Sequence, residues 1–160
     1  MSPAIALKPS RSRFVTARGL RHHLREWGAS GAPPLVLLHG WMDVSASFQF
    51  VVDAFERDWH VLAPDWRGFG LSERGPGDCY WFADYLGDLD AIVEAVSADR
   101  PVSLVGHSMG GNVALLYAGV RPGRVRAAVN LEGFGLKDCA PGQAPGRYAR
   151  WLDQLKSPPP

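Results

Sequence analysis

Histidine is missing after residue 107: all five, His22, His23, His39, His60 and His107, precede the remaining third of the 160-residue chain. Chemistry that needs an imidazole beyond that point must obtain it from elsewhere in space. Cysteine is scarce too. Cys79 and Cys139 stand far apart without metal-ligand spacing, which excludes a disulfide framework and a thiolate metal centre. No apolar run reaches membrane-spanning length, and residues 1–13, which include Pro3, Lys8, Pro9, Arg11 and Arg13, hold no signal-peptide core. The expected compartment is therefore the cytoplasm, with no membrane partner. Neither sign of charge dominates: 17 Lys and Arg against 16 Asp and Glu leave +1, so no nucleic-acid partner is expected.

What is present is an ordinary globular composition, 46% apolar. At this length one domain buries about two thirds of the surface of its unfolded chain, enough for a real core.

The stretch that organises the rest is Val102-Ser103-Leu104-Val105-Gly106-His107-Ser108-Met109-Gly110-Gly111. It passes from a β-branched apolar segment through a tight turn into small-residue helical sequence. Gly106 and Gly110 flank Ser108 in a G-x-S-x-G pattern, whose setting is a sharp strand-to-helix turn. Such a turn strains the backbone at the serine and leaves no room for side chains at the two glycines. A helix over 109–121 would aim its amide-rich N-terminus at the serine hydroxyl and favour negative charge there.

In chain order, 14–16 and 20–27 read as two strands joined at Arg18-Gly19. Leu35-Val36-Leu37-Leu38 is a continuous apolar run, as in a strand covered on both faces, and ends at His39-Gly40-Trp41. Ser47 is the expected cap of a helix over 48–56. A strand at 60–63 leads into the glycine-punctuated loop Pro64-Asp65-Trp66-Arg67-Gly68-Phe69-Gly70-Leu71-Ser72. A helix over 81–97 carries Tyr85, Leu89, Ile92, Val93 and Val96 on one face. Residues 126–131 give a further strand, and Tyr148, Trp151, Leu152 and Leu155 share a face of a final amphipathic helix. Strands alternating with helices predict an α/β fold, a mostly parallel, doubly wound sheet of about six strands with helices on both faces. Ligands in such sheets bind beyond the carboxyl ends of the strands, where His39-Gly40-Trp41, Asp65, Ser108 and Glu132 would gather.

Together, His39-Gly40-Trp41, the 65–72 loop and Gly106-His107-Ser108-Met109-Gly110-Gly111 resemble the α/β-hydrolase superfamily, over about residues 14–136. The resemblance implies the first six of the family's eight strands, after a flexible segment 1–13 and before the start of a cap or tail at 137–160. It implies a serine hydrolase acting on an apolar ester or related carbonyl, with no cofactor and no metal. Ser108 would be the nucleophile, and the N–H groups of Met109 and Trp41 would form the oxyanion hole. His39, Gly40, Gly106 and Gly110 would support the site. Glu132, in Val129-Asn130-Leu131-Glu132-Gly133-Phe134, is similar to the acid that follows the sixth strand in a subgroup including haloalkane dehalogenases. A serine at 108 argues against dehalogenation, which needs a carboxylate there.

The family's chain order is serine, acid, histidine, and no histidine follows Ser108. The expected histidine, and two further strands, would then come from a C-terminal part absent from these residues. The strand around Ala128 is expected to be an unpaired edge that favours self-association, with Trp151 and Leu155 lacking packing partners. Two other readings stand beside the esterase: an inactive fold relative acting as a binding or partner-complemented module, and a cofactorless haloperoxidase or carbon–carbon bond hydrolase. Among the remaining residues, Asp65 and Arg67 read as a structural pair bracing a turn, Asp43 as a turn or cap residue, and Trp41 and Trp66 as candidates to line an apolar pocket.

Overall fold

The computed structural model describes residues 7–77, 79–133 and 140–156. Six strands form one sheet in the order β1-β2-β4-β3-β5-β6: β1 (Ser10–Ala17), β2 (Leu20–Trp27), β3 (Pro34–Leu38), β4 (His60–Pro64), β5 (Val102–His107) and β6 (Val125–Leu131). The pairings β3 with β4, β3 with β5 and β5 with β6 are parallel, whereas β1 with β2 and β2 with β4 are antiparallel. The sheet is thus mostly parallel, with an antiparallel hairpin at one edge. That hairpin turns at Arg18 and Gly19, both in the left-handed region at φ 50° and 78°, which matches the twist of the strands it joins. β1 begins at Ser10, four residues before the strand expected at Phe14, and pairs with β2 along its whole length. The last residues of the segment read as flexible therefore belong to the sheet, because their backbone groups find partners along β2.

The continuous apolar run of β3 is buried at every position. Val36 and Leu38 pack with Trp66, Tyr85, Leu89, Val93 and Val113 on one face, while Leu35 and Leu37 pack with Trp27, Phe48, Val52 and Val61 on the other. The first face is covered by α2 (Phe82–Val96) and α3 (Met109–Val120), the second by α1 (Gln49–Asp53) with the 3₁₀ turn Ser45–Phe48 before it. The helix expected over 48–56 is shorter than its periodicity implied: Phe48 and Val52 are buried but Phe50 is 80% exposed, so little apolar surface holds it. Ser47 does not cap it. Phe48 occupies that position, Val44 precedes the 3₁₀ turn, and Asp43 closes that turn by accepting from the Val44 N–H at 2.8 Å and from the Ser47 hydroxyl. α4 (Ala144–Lys156) follows the expected final amphipathic segment, although the side chains of Trp151 and Leu155 lie outside the described residues. β6 is the sheet edge beyond β5 among the described residues, with Val129 and Leu131 48% and 45% exposed. Within the described residues, no helix is long and apolar enough to cross a membrane.

Two buried histidines couple this fold to pH. His22 is held below the usual histidine range, chiefly because burial disfavours the imidazolium. Asp88, 3.9 Å away, and Glu73 pull the other way, and Arg67 adds to the depression. His39 is lowered by burial as well, against its hydrogen bond to the Gly40 carbonyl and the charges of Asp65 and Asp43. Both groups bind protons more readily in the unfolded chain, so the stability they contribute is complete above about pH 6.5 and drains away as pH falls below it. Unfolding free energies from urea titrations should drop between pH 7 and pH 5.5, with a slope of up to about 1.4 kcal/mol per pH unit for each histidine. His22→Leu should flatten that slope. An unfolding free energy constant across the window would contradict the assignment.

Candidate active site

The elbow is built as its spacing requires. Ser108 joins β5 to α3 at φ 50° and ψ −115°, a region that costs a non-glycine residue about 1–3 kcal/mol. The glycines around it are there for lack of space: a Cβ on Gly106 would lie 2.3 Å from the Gly110 carbonyl oxygen, and one on Gly110 would lie 2.2 Å from that of Leu38. The first turn of α3 is thereby pressed onto the ends of β5 and β3. Gly111 belongs to the same packing, since its Cβ would meet Asn130 Oδ1 at 2.1 Å.

Sheet register assembles the rest. Leu38 lies opposite Gly106, and His107 opposite Leu131, so the segments after β3, β5 and β6 share one rim. Gly40 stands against the elbow: its Cβ would be 3.2 Å from Ser108 Cβ and 3.0 Å from His107 Nδ1. On the other side the Ser108 N–H donates to the Leu131 carbonyl at 2.8 Å, which brings Glu132 into the same row. Met109, as the first residue of α3, keeps an N–H with no intrahelical acceptor.

His39 is fully buried and both its ring nitrogens are occupied. The Trp66 N–H donates to Nε2 at 3.0 Å, so Nδ1 must carry the proton and donate to the Gly40 carbonyl at 2.8 Å. With its lone pair used and its charged form disfavoured, this imidazole holds the β3 end in place and has no free nitrogen for the serine. Among the described residues no imidazole is hydrogen-bonded to Ser108 Oγ. His107 faces Gly40, and its Nε2 is 3.9 Å from Glu132 Oε2. Glu132 itself is 77% exposed as a side chain and sits at φ 57°.

Asn130 is a residue that the sequence reading passed over. Its Nδ2 donates to the Gly133 carbonyl at 2.6 Å and its Oδ1 accepts from the Gly133 N–H at 2.8 Å, which pins the tight loop carrying Glu132. The available signal was Asn three residues before Gly, a side chain able to stand in for a turn of backbone.

Two expectations are corrected here. Asp65 and Arg67 do not pair with each other. Asp65 accepts from His23 and from the N–H groups of Ser45 and Leu71, whereas Arg67 makes a bidentate ion pair with Asp88, both contacts at 2.6 Å. Each needs a partner on a different element, so neighbouring loop positions led to different counter-charges. Trp66 does not line a pocket either: it is wholly buried, with its indole N–H on the His39 carbonyl at 2.9 Å. Trp41 does lie on the rim, 60% exposed and edge-on to Phe69 with ring centroids 5.4 Å apart. A cleft of about 590 Å³ lined by Pro34, Arg100, Pro101 and Val125 opens at the opposite end of the sheet, away from Ser108.

Comparison with known proteins agrees with this architecture. A family model described as alpha/beta hydrolase fold matches residues 33–157. The chain is 40% identical over 110 residues to a serine hydrolase-like protein of Danio rerio, covering 68% of this chain and 33% of that protein. It is 35% identical over 127 residues to the 2-hydroxy-6-oxo-2,4-heptadienoate hydrolase of Pseudomonas putida, covering 78% and 45%. The thioesterase domain from the curacin biosynthetic pathway superposes with a TM-score of 0.79 at 25% identity, over 95% of this chain and 54% of that one. The chain thus spans between a third and about half the length of these relatives. With the elbow, the crowded glycines and the rim in place, the chain belongs to the α/β-hydrolase family.

Proposed function

We propose that Ser108 is the nucleophile of a hydrolase acting on an ester or related carbonyl. The observation that carries this reading is Ser108 itself, held at positive φ where a sheet crosses into a helix, with Gly40 packed on its Cβ. In the proposed reaction Ser108 Oγ attacks the carbonyl carbon. The N–H groups of Met109 and Trp41 receive the oxyanion, and one such donor contributes about 2.7–4 kcal/mol of barrier lowering. Glu132 orients a histidine, which takes the serine proton and returns it to the leaving alkoxide; water then releases the acid. That histidine comes from polypeptide outside these 160 residues, because each histidine of the chain is engaged elsewhere or faces away. The rim offers apolar surface in Trp41 and Met42, 60% and 82% exposed, which suits an apolar acyl or alcohol group.

The carbon–carbon bond hydrolase reading uses the same serine and is favoured by the likeness to the Pseudomonas putida enzyme. An organophosphonate probe tests the nucleophile that both share. With the complementing histidine-bearing segment added in trans, covalent labelling should map to Ser108 and vanish in Ser108→Ala. Labelling of the folded, complemented protein that never reaches Ser108 would favour the inactive binding module. Ester and vinylogous diketone substrates then separate the two chemistries.

A further inference from the structure

A second serine in this chain does have an imidazole. Ser12 lies on β1, on the exposed edge strand, and its Oγ is 2.9 Å from His23 Nε2. His23 Nδ1 is in turn 2.8 Å from Asp65 Oδ2. Histidine and aspartate are both buried, 1% and 2% exposed, while Ser12 is an exposed residue.

The roles in this chain of contacts follow from hydrogen-bond bookkeeping. Asp65 accepts from the N–H of Ser45 at 2.7 Å and of Leu71 at 3.0 Å. Burial would raise its carboxyl, but these donors and His23 outweigh burial and hold it below the usual carboxylate range. An ionised carboxylate only accepts, so His23 Nδ1 carries a proton, and in the neutral ring it is Nε2 that presents its lone pair to the Ser12 hydroxyl. The ring is fixed from behind as well. The His23 N–H donates to Ser72 Oγ at 2.9 Å, whose hydroxyl donates to the Asp65 carbonyl at 2.7 Å, and the Asp65 N–H donates to the His23 carbonyl at 2.9 Å. A hydroxyl, a base within reach and a carboxylate that orients the base are the three parts that activate a serine. His39 shows the contrasting case in the same molecule, an imidazole closed on both nitrogens by backbone. His23 instead opens onto the hydroxyl of an exposed serine.

Arg25 is the register partner of Ser12 and is anchored by its Nη1 on Ser10 Oγ at 3.0 Å. Its charge is held at Ser10, two residues from Ser12 on the same strand, so it is common to both hydroxyls.

We propose that Ser12, with His23 as base and Asp65 as positioning residue, is a second nucleophile that accepts acyl groups from activated esters, independently of Ser108. The step balances within the site: Ser12 Oγ forms a bond to the carbonyl carbon as its proton passes to His23 Nε2, the carbon–oxygen bond to the leaving phenoxide breaks, and the imidazolium returns the proton to the phenoxide. The product is acyl-Ser12 and a phenol.

The full chain treated with p-nitrophenyl acetate tests this, with acetylated residues located by fragmentation mass spectrometry. Ser10 serves as the internal comparator, since it lies on the same strand without an imidazole. Ser12 should acetylate about a hundredfold faster than Ser10, the scale of general-base assistance. The modification should disappear in Ser12→Ala and persist in Ser108→Ala, which separates this site from the function proposed above. In a folded His23→Asn variant the Ser12 rate should fall to that of Ser10. Equal rates at Ser10 and Ser12 in the unaltered chain, or an unchanged Ser12 rate in folded His23→Asn, would overturn the proposal. If that variant does not fold, the pH profile of the unaltered chain decides: a rate that levels off once a single base is deprotonated supports it, and one simply proportional to hydroxide overturns it.

Discussion

Asp88→Ala is expected to destabilise the chain by about 3–5 kcal/mol, the scale of breaking a buried ion pair by removing one partner. The Asp88 side chain is wholly buried, and both oxygens are used by Arg67 through Nε and Nη2 at 2.6 Å, with Arg18 Nη1 a further donor at 3.2 Å. The hydrogen bonds to Asp88 raise the Arg67 guanidinium, and its ordinary value is already so high that it stays charged when Asp88 is gone. Without Asp88 that charge remains under α2 with the Cys79 carbonyl at 3.1 Å and Asp84 Oδ1 at 3.6 Å as its remaining contacts. Removing both partners together, in Arg67→Met with Asp88→Leu, should cost far less than either single change, since no unpaired charge is left behind. Chemical denaturation of the single and double variants checks this. A loss under about 1 kcal/mol for Asp88→Ala would mean that water already reaches the pair.

Gly110→Ala should be nearly as damaging, although it adds a single methyl group. That methyl would sit 2.2 Å from the Leu38 carbonyl oxygen and 2.7 Å from that of His39. Both are backbone atoms of a fully buried strand end, so α3 must lift off the sheet. Overpacking of this kind costs about 1–3 kcal/mol where side chains can give way and more where they cannot. Ser108 would move with the helix, and the spacing between the elbow and Gly40 would be lost. The same substitution nine residues further along the helix makes the contrast: Gly119, near the C-terminus of α3, has nothing within 4 Å of a Cβ, so Gly119→Ala should stabilise by about 0.5–1 kcal/mol through helix propensity alone. Thermal unfolding of the two variants should move in opposite directions. A Gly110→Ala protein as stable as the parent would show that the elbow is looser than its geometry indicates.

The local pieces of this molecule were readable because each rests on short-range physics. The run Leu35-Val36-Leu37-Leu38 is a strand buried on both faces, as unbroken apolar sequence demands. Ser108 with its glycines announced a strained crossover, and the crossover is there. Where the reading missed, a competing partner had decided the outcome. Ser47 has cap chemistry, yet Asp43 takes its hydroxyl. Asp65 and Arg67 are two residues apart and of opposite charge, yet one answers to His23 on β2 and the other to Asp88 on α2.

Periodicity and turn chemistry therefore determined the strands, the longer helices and the rim on which Ser108 stands, since spacing along the chain is what those features consist of. Tertiary structure alone decided which charges meet, that His39 is closed to catalysis, and that His23 lies between Asp65 and Ser12. Those outcomes depend on which strands become neighbours, and hydrogen bonds between residues tens of positions apart leave no regular interval in a sequence.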